Sequence, residues 1–425
     1  MTHAHTTPAI SRLRPLVMAL ALGGTMSTAF ATNGYFSHGY GMKAKGMGGA
    51  SIAMAEDAFA GANNPASASF SGNRFELGAD LFMPRRDMTR TGGGLPAAVE
   101  SDSNLFLIPE FGYNKTVNDK VSVGITVYGN GGMNTDYPGG QINCGAGPAN
   151  VLCGSGRLGM GVDLMQLIVA PTLSYKINEQ HAVGVSPLLV YQQFKVDGLQ
   201  GFDNPMMSSA PGKVTNNGTD RSTGVGLRLG YMGKVTDAVT VGASYSPRIR
   251  MGKFDKYSGL FAGAGSMDIP EEYGLGVSLK ATPTVTVAVD YQRINYSGVP
   301  AIGNPSANRA LLGTANGPGF GWRDINVWKL GVQWQASSQF TLRAGYNKGQ
   351  SPVQSSDVTF NILSPGVITS HVTLGATYAL SPSTEMTMSY MHAPRQSVTG
   401  PSMFGGTETI RMRQNALGLQ VGWKF

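Results

Sequence analysis

The sequence predicts an all-β fold: a fourteen-stranded antiparallel transmembrane β-barrel with an N-terminal hatch, or plug, inside its lumen. Three observations predict it. Segment after segment alternates apolar with small or polar residues, the two-residue period of a strand with two different faces. Tight turns and long loops rich in Gly, Pro and Asn alternate between those segments, as they do on the two rims of a membrane barrel. Past the first thirty residues no apolar run approaches the ~20 residues of a membrane helix. The composition agrees. Of 425 residues, 59 are glycine, about twice the ordinary share of ~7%. Charged residues make up 13%, about half the ~25% of a soluble domain. The 41% of apolar residues excludes a disordered chain. The formal charge of +7 comes from basic residues scattered singly, so no nucleic-acid partner is expected.

Residues 1–31 read as a secretory signal. Arg12 and Arg14 form the charged head, Leu16 to Thr25 an apolar core too short to cross a bilayer, and Ala29-Phe30-Ala31 the small-x-small cleavage pattern. The expected mature start is Thr32. Residues 32–72 do not alternate. Ser51 and Gly61 are placed to cap and end a short helix over 51–60. Met47, Ile52, Met54 and Phe59 suit packing inside a barrel better than a solvated tail. Glu56 and Asp57 are candidates to pair with lumen Arg or Lys. The Asn64-Pro65-Ala66 turn is expected to anchor this hatch where it enters the barrel, 73–425. Pro fixes φ there and Asn can close the turn through its side chain.

The clearest strand is the last. Leu417, Leu419, Val421, Trp423 and Phe425 point one way; Gly418, Gln420, Gly422 and Lys424 point the other. Val121–Val127, Val285–Gln292, Phe340–Tyr346 and Val372–Tyr378 repeat the pattern. Six tight turns are expected near Asn118, Asn178, Thr236, Thr282, Ser337 and Ser381. Seven long loops are expected at 88–103, 131–160, 198–221, 253–267, 298–321, 349–366 and 398–407. Thirteen connections join fourteen strands, the even count of a closed barrel. Tyr113, Tyr175, Tyr231, Tyr245, Trp334 and Trp423 sit where aromatic girdles belong. Lipid offers no hydrogen bonds, and a closed sheet satisfies every backbone group without edges.

Parity assigns Tyr128, Ile168, Leu188, Val190 and Phe194 to an apolar lumen face, able to hold a ligand or to pack on the hatch. It also assigns Arg228, Lys329 and Arg343 to the lumen, as wall or hatch ion pairs or as partners of a ligand carboxylate. Cys144 and Cys153, the only cysteines, lie in a Gly/Pro/Asn-rich loop of an exported chain and are read as a disulfide. They cannot form a structural zinc site alone. No Gly-x-Ser-x-Gly elbow occurs. The four histidines past residue 31 form no His-x-x-x-His pair. Gly154-Ser155-Gly156-Arg157-Leu158-Gly159 matches a dinucleotide pattern but sits in a loop. No metal, cofactor or catalysis is therefore expected. A soluble sandwich or propeller would need a blade-length repeat that the chain lacks.

The stretch from Gly46 to Ala66, with Ala55-Glu56-Asp57-Ala58 and Asn64-Pro65-Ala66, resembles the N-terminal hatch of the outer-membrane long-chain fatty acid transporter (FadL) family. The likeness continues through Ser351-Pro352-Val353 and Ser389-Tyr390-Met391-His392 to Phe425. The resemblance implies a bacterial outer-membrane channel. It would capture a hydrophobic molecule at the outer surface, most simply a long-chain fatty acid, move its hatch, and release the molecule through a gap beside a kinked third strand. Gly129-Asn130-Gly131 is the expected kink. The family also includes aromatic hydrocarbon channels, which would need no cation for their substrate; a general porin is the other alternative. Expected partners are outer-membrane lipid and lipopolysaccharide, the hydrophobic substrate, and the assembly machinery that would read Phe425. A single barrel would work as a monomer.

Overall fold

A computed structural model describes residues 33–93, 97–138 and 159–425. The expected signal segment, Thr32, the Cys144–Cys153 pair and residues 154–158 of the glycine motif lie outside the described residues.

Fourteen long strands form the wall. They are β1 (Arg74–Thr91), β2 (Phe106–Thr116), β3 (Val121–Tyr137), β4 (Met160–Lys176), β5 (His181–Asp197), β6 (Asp220–Lys234), β7 (Val239–Ser246), β8 (Glu271–Lys280), β9 (Val285–Asn295), β10 (Ile325–Gln335), β11 (Phe340–Gly349), β12 (Ser370–Ala379), β13 (Thr384–Pro401) and β14 (Thr407–Lys424). Each pairs antiparallel with its neighbours in sequence, and β1 closes on β14 from Arg74↔Lys424 to Thr91↔Thr407. A short extra strand, Ala97–Glu100, lies along the upper part of β1. Pairing β1 with β14 closes the sheet on itself, as an apolar medium demands.

The six tight turns fall at the expected places, one on each of six alternate connections. The predicted 398–407 loop is corrected: β13 runs to Pro401 and β14 starts at Thr407. Gly405 and Gly406, at φ 84° and 77°, supply the left-handed turn that closes this hairpin. β1 and β3 likewise extend to Thr91 and Tyr137. Above the bilayer both faces of a ladder can be polar, so its hydrogen bonds continue where apolar alternation stops.

The outer face carries exposed Leu173, Leu189, Val225, Leu275 and Leu374. Tyr175, Tyr245, Trp334 and Trp423 are outward too, as girdles require. Residues 33–72 fill the lumen. They contain one helix, α1 (Met42–Gly46), and a 3-10 turn at Pro65–Ser69. The expected 51–60 helix does not form. The wall supplies acceptors to this segment instead: Asp290 Oδ2 accepts from Ser51 N (2.7 Å) and Ile52 N (2.9 Å), and Glu76 Oε2 accepts from Ala58 N (2.8 Å).

Glycine explains how the lumen holds so much backbone. A Cβ at Gly345 would collide with the backbone of Met47 and Gly48, and one at Gly230 with the Asn64 side chain. These strand glycines face inward, and their missing side chains are the space the plug occupies.

Candidate functional site

The plug is fastened to the wall by charge as well as shape. Lys45 Nζ lies 3.1 Å from Asp80 Oδ2 on β1 and 3.0 Å from Glu110 Oε2 on β2. Lys43 Nζ reaches Glu385 Oε1 on β13 at 2.6 Å and donates to Glu56 O at 2.8 Å. The five ionic side chains, Lys43, Lys45, Asp80, Glu110 and Glu385, are all buried; Glu56 is half-buried, its carboxylate 3.5 Å from Arg343. Asn64 caps the turn at Pro65, accepting from Ala66 N at 3.1 Å, while its Nδ2 donates to Ile52 O and to Tyr231 O of the wall. The anchor turn thus ties plug to plug and plug to barrel.

Of the two expected plug anions, Glu56 finds a lumen arginine and Asp57 does not. Asp57 accepts a hydrogen bond from Phe59 N at 3.1 Å and forms no ion pair among the described residues. Burial, and then the Glu76 carboxylate beside it, push its pKa up to about 7. A carboxyl whose folded value is raised binds more protons folded than unfolded. Its contribution to plug docking is therefore whole below about pH 4, its ordinary value, and drains as pH rises towards 7. The protection of residues 41–60 against hydrogen exchange, taken relative to the base-catalysed intrinsic rate at each pH, should accordingly be lower at pH 8 than at pH 5, and Asp57→Asn should flatten that difference. An unchanged pH dependence in the variant would contradict this role.

Sequence reasoning missed the strongest fasteners. It looked for plug anions on wall cations; the main pairs are plug cations, Lys43 and Lys45, on wall carboxylates. The signal was present, because Asp80, Glu110 and Glu385 share the parity of the inward positions on their strands.

The wall is incomplete at one place. The β2–β3 ladder holds only from Phe111↔Val127 to Thr116↔Ser122, whereas β3 pairs with β4 as far as Tyr137↔Met160. Above Val127, β3 has left β2. The register with β4 shifts between Gly129 and Gly131, a bulge at the glycines singled out from the sequence. From Asn130 to Thr135 every residue is buried, so the strand turns inward rather than presenting alternate faces. The freed edge is met by the start of the plug. Gly132 N donates to Tyr35 O (3.2 Å), Ser37 N donates to Asn130 O (3.3 Å), and Phe36 bridges Gly131. Asn130 Nδ2 also donates to Gln166 Oε1 at 2.9 Å, and Tyr40 Oη donates to Asn130 O at 3.1 Å. Moving residues 33–40 therefore disturbs the edge of the gap directly.

Above the plug, among the long loops, lies a narrow apolar cavity. Phe194, Phe202, Phe261, Phe320, Leu199 and Leu363 are among its walls, and Thr359 is the only polar side chain lining it among the described residues. Phe194 packs against a tilted Phe261 and edge-to-face with Tyr257, with ring centroids 4.6 and 4.9 Å away. A second, polar cavity beside the plug is lined by Tyr40, Arg228, Glu272, Gln292 and Lys329.

The expected lumen residues divide between these places. Phe194 lines the apolar cavity. Ile168, Leu188 and Val190 are buried in the same apolar core. Tyr128 packs on Tyr40 at 4.5 Å and accepts from Arg228. Arg228 is committed to Glu272 and to the plug carbonyls of Gly61 and Ala62. Arg343 is committed to Gln333, Thr377 and Glu56. Lys329 is buried on the polar cavity with no carboxylate within 4.0 Å among the described residues. Of the plug residues, Met47, Met54, Glu56, Asp57 and Phe59 line a small void within the plug itself, and Ala66 is buried in the anchor turn.

Comparison with known proteins follows from this geometry. A family model described as outer membrane protein transport protein (OMPP1/FadL/TodX) matches residues 18–420. No curated protein sequence matches the chain. Among solved structures, the Pseudomonas putida toluene transporter TodX superposes with a TM-score of 0.68 at 19% identity, covering 91% of this chain and 99% of that one. A Pseudomonas aeruginosa FadL homologue gives 0.69 at 16% identity, covering 92% and 100%. The Ralstonia pickettii toluene transporter TbuX gives 0.64 at 18% identity, covering 91% and 99%.

Proposed function

This chain belongs to the OMPP1/FadL/TodX family of outer-membrane transport proteins, and on that premise we propose that it takes up small hydrophobic molecules by capture in the loop cavity, movement of residues 33–72, and lateral exit through the gap between β2 and β3. The protein is an outer-membrane β-barrel. Its relatives are transport channels, and the proposed role is transport rather than catalysis.

The observation that carries the reading is the alignment of three features on one path: an apolar cavity above, a plug below, and a wall gap whose edge the plug itself holds. A general porin would want an open, wet bore. This lumen is filled.

The cavity favours an uncharged ligand. Its lining offers no cation, and a carboxylate left unpaired in such a place is costly. Arg228 and Arg343 already have partners. Burying a group of phenylalanine size yields roughly 1.5–3 kcal/mol. That suffices for transient capture yet leaves release feasible, which passage through a channel requires. Neutral hydrocarbons, as the names of the toluene transporters state for those proteins, are therefore the substrates we favour. Long-chain fatty acids are the second reading, because Lys329 offers a buried ammonium on the polar cavity for a carboxylate head. Phe425, exposed at the short-turn rim, is proposed as the signal for the assembly machinery, and a single barrel as the working unit.

Uptake in a strain lacking the gene tests this. Restored toluene uptake without restored oleate uptake is expected. Restored oleate alone would move the assignment to fatty acids. Restored sugar entry with neither would reject the proposal in favour of a porin.

A further inference from the structure

The outer wall carries a cluster of charge that the transport route does not use. On β1, Arg85 faces outward and pairs directly across the ladder with Arg413 of β14. Like charges opposed on a sheet are destabilising. A bulge in β13 adds a third guanidinium. Ala393 pairs Gln414 and Gln396 pairs Met412, leaving Pro394 and Arg395 opposite Arg413. Bulges often serve to re-aim a side chain, and this one turns Arg395 outward. Arg411 lies one outward position along β14.

Two carboxylates share the patch. Asp87 Oδ1 is 2.6 Å from Arg395, and its Oδ2 is 3.1 Å from Arg411. Glu100 lies 3.5 Å from Arg85. Four guanidinium groups against two carboxylates leave a local charge of 4 − 2 = +2. The Arg413 guanidinium has no hydrogen bond or ion pair among the described residues. Arg85, Asp87, Glu100, Arg395 and Arg413 bound an open groove.

The height of the patch identifies its environment. Phe75 and Trp423 pair at the short-turn rim. Arg85 is ten residues further along β1; at ~3.3 Å per residue and a tilt near 40°, it stands about 25 Å higher, the height of the apolar band of a barrel. Below it, Leu77, Leu417 and Leu419 face lipid. The long loops lie beyond it. The arginines thus meet the outer leaflet where acyl chains give way to headgroups. Guanidinium forks suit phosphate oxygens, with which they make paired, charge-assisted hydrogen bonds.

We propose that this groove binds a phosphate of a phosphorylated glycolipid in the outer leaflet, Arg85, Arg395 and Arg413 holding the phosphate while the acyl chains lie on the apolar band below. The lipid supplies the negative charge that relieves the Arg85–Arg413 opposition.

The test uses the full-length protein in detergent, with binding of bis-phosphorylated lipid A followed by native mass spectrometry. The double variant Arg395→Gln/Arg413→Gln loses two charge-assisted contacts to the phosphate and should bind at least tenfold more weakly. Dephosphorylated lipid A should bind wild type and variant alike, at the weak level. Arg221→Gln, an outward arginine on β6 away from the patch, should bind as wild type does. Heat-modifiable gel mobility verifies that each barrel is folded, and the single variant Arg85→Gln provides an independent reading if the double variant is not. Undiminished lipid A binding in the folded variants would overturn the proposal. So would dephosphorylated lipid A binding as tightly as the phosphorylated form, or inorganic phosphate binding as tightly as the lipid.

Discussion

Deletion of residues 33–60 is expected to convert a closed barrel into a conducting pore without unfolding it. Apart from the gap where β3 parts from β2, the wall is closed by its own ladders; β1 and β14, for example, pair from Arg74↔Lys424 to Thr91↔Thr407. None of those bonds involves the plug. Deletion removes Lys43 and Lys45 and leaves Glu385, Asp80 and Glu110 without their plug partners. In a sealed interior that would be costly. Here water enters with the deletion, and solvated carboxylates are stable. The lumen-facing glycines that seat the plug then widen the bore. Planar-bilayer recordings should show open conductance steps for the deletion and a closed baseline for the full chain. A deletion protein that stays closed would mean that the plug does not seal the barrel.

The second large effect is expected at Lys45. Its ammonium answers two buried carboxylates at once, 3.1 and 3.0 Å away. Lys45→Met keeps much of the stem's volume but leaves Asp80 and Glu110 buried and mutually repelling. Breaking a buried pair from one side costs about 3–5 kcal/mol. The barrel should survive, because its ladders do not depend on this group; the plug should not stay docked. Hydrogen exchange of residues 39–50 should accelerate by two or more orders of magnitude, since about 1.4 kcal/mol is a factor of ten. The triple variant Lys45→Met/Asp80→Asn/Glu110→Gln removes the stranded charges and should recover most of the protection. Wild-type exchange in Lys45→Met would show that the plug is held by shape alone.

Much of the barrel was legible because its physics is periodic. An outer face in lipid must be apolar, so Leu417, Leu419 and Val421 announce β14, and the same parity puts Arg228, Lys329 and Arg343 inside. Tight turns such as Asn118-Asp119 carry their own chemistry. Legibility failed where a residue's role depends on a distant partner. Ser51 looked like a helix cap, but its N–H is taken by Asp290 on β9, 239 positions away in sequence. Nothing near Lys43 and Lys45 in sequence marks them as fasteners; their partners come from β1, β2 and β13. The upper part of the β13–β14 hairpin was hidden because its outward positions, Thr409, Arg411 and Arg413, are polar, so the outer face carries no apolar signal there. The glycine excess was visible as a number before its reason was: Gly230, Gly242, Gly331 and Gly345 are each met by a plug atom that takes the space of a side chain.

The central claim is that a hydrophobic molecule leaves through the wall where β3 parts from β2. Deleting Asn130 tests it most directly. One residue is extra at that bulge, between Gly129↔Leu167 and Gly131↔Gln166. Removing it lets β3 run in register and continue beside β2. With a folded barrel verified by heat-modifiable mobility, uptake of hydrophobic substrate should fall to the level of cells lacking the protein. Uptake at the wild-type rate through the straightened strand would contradict the lateral route.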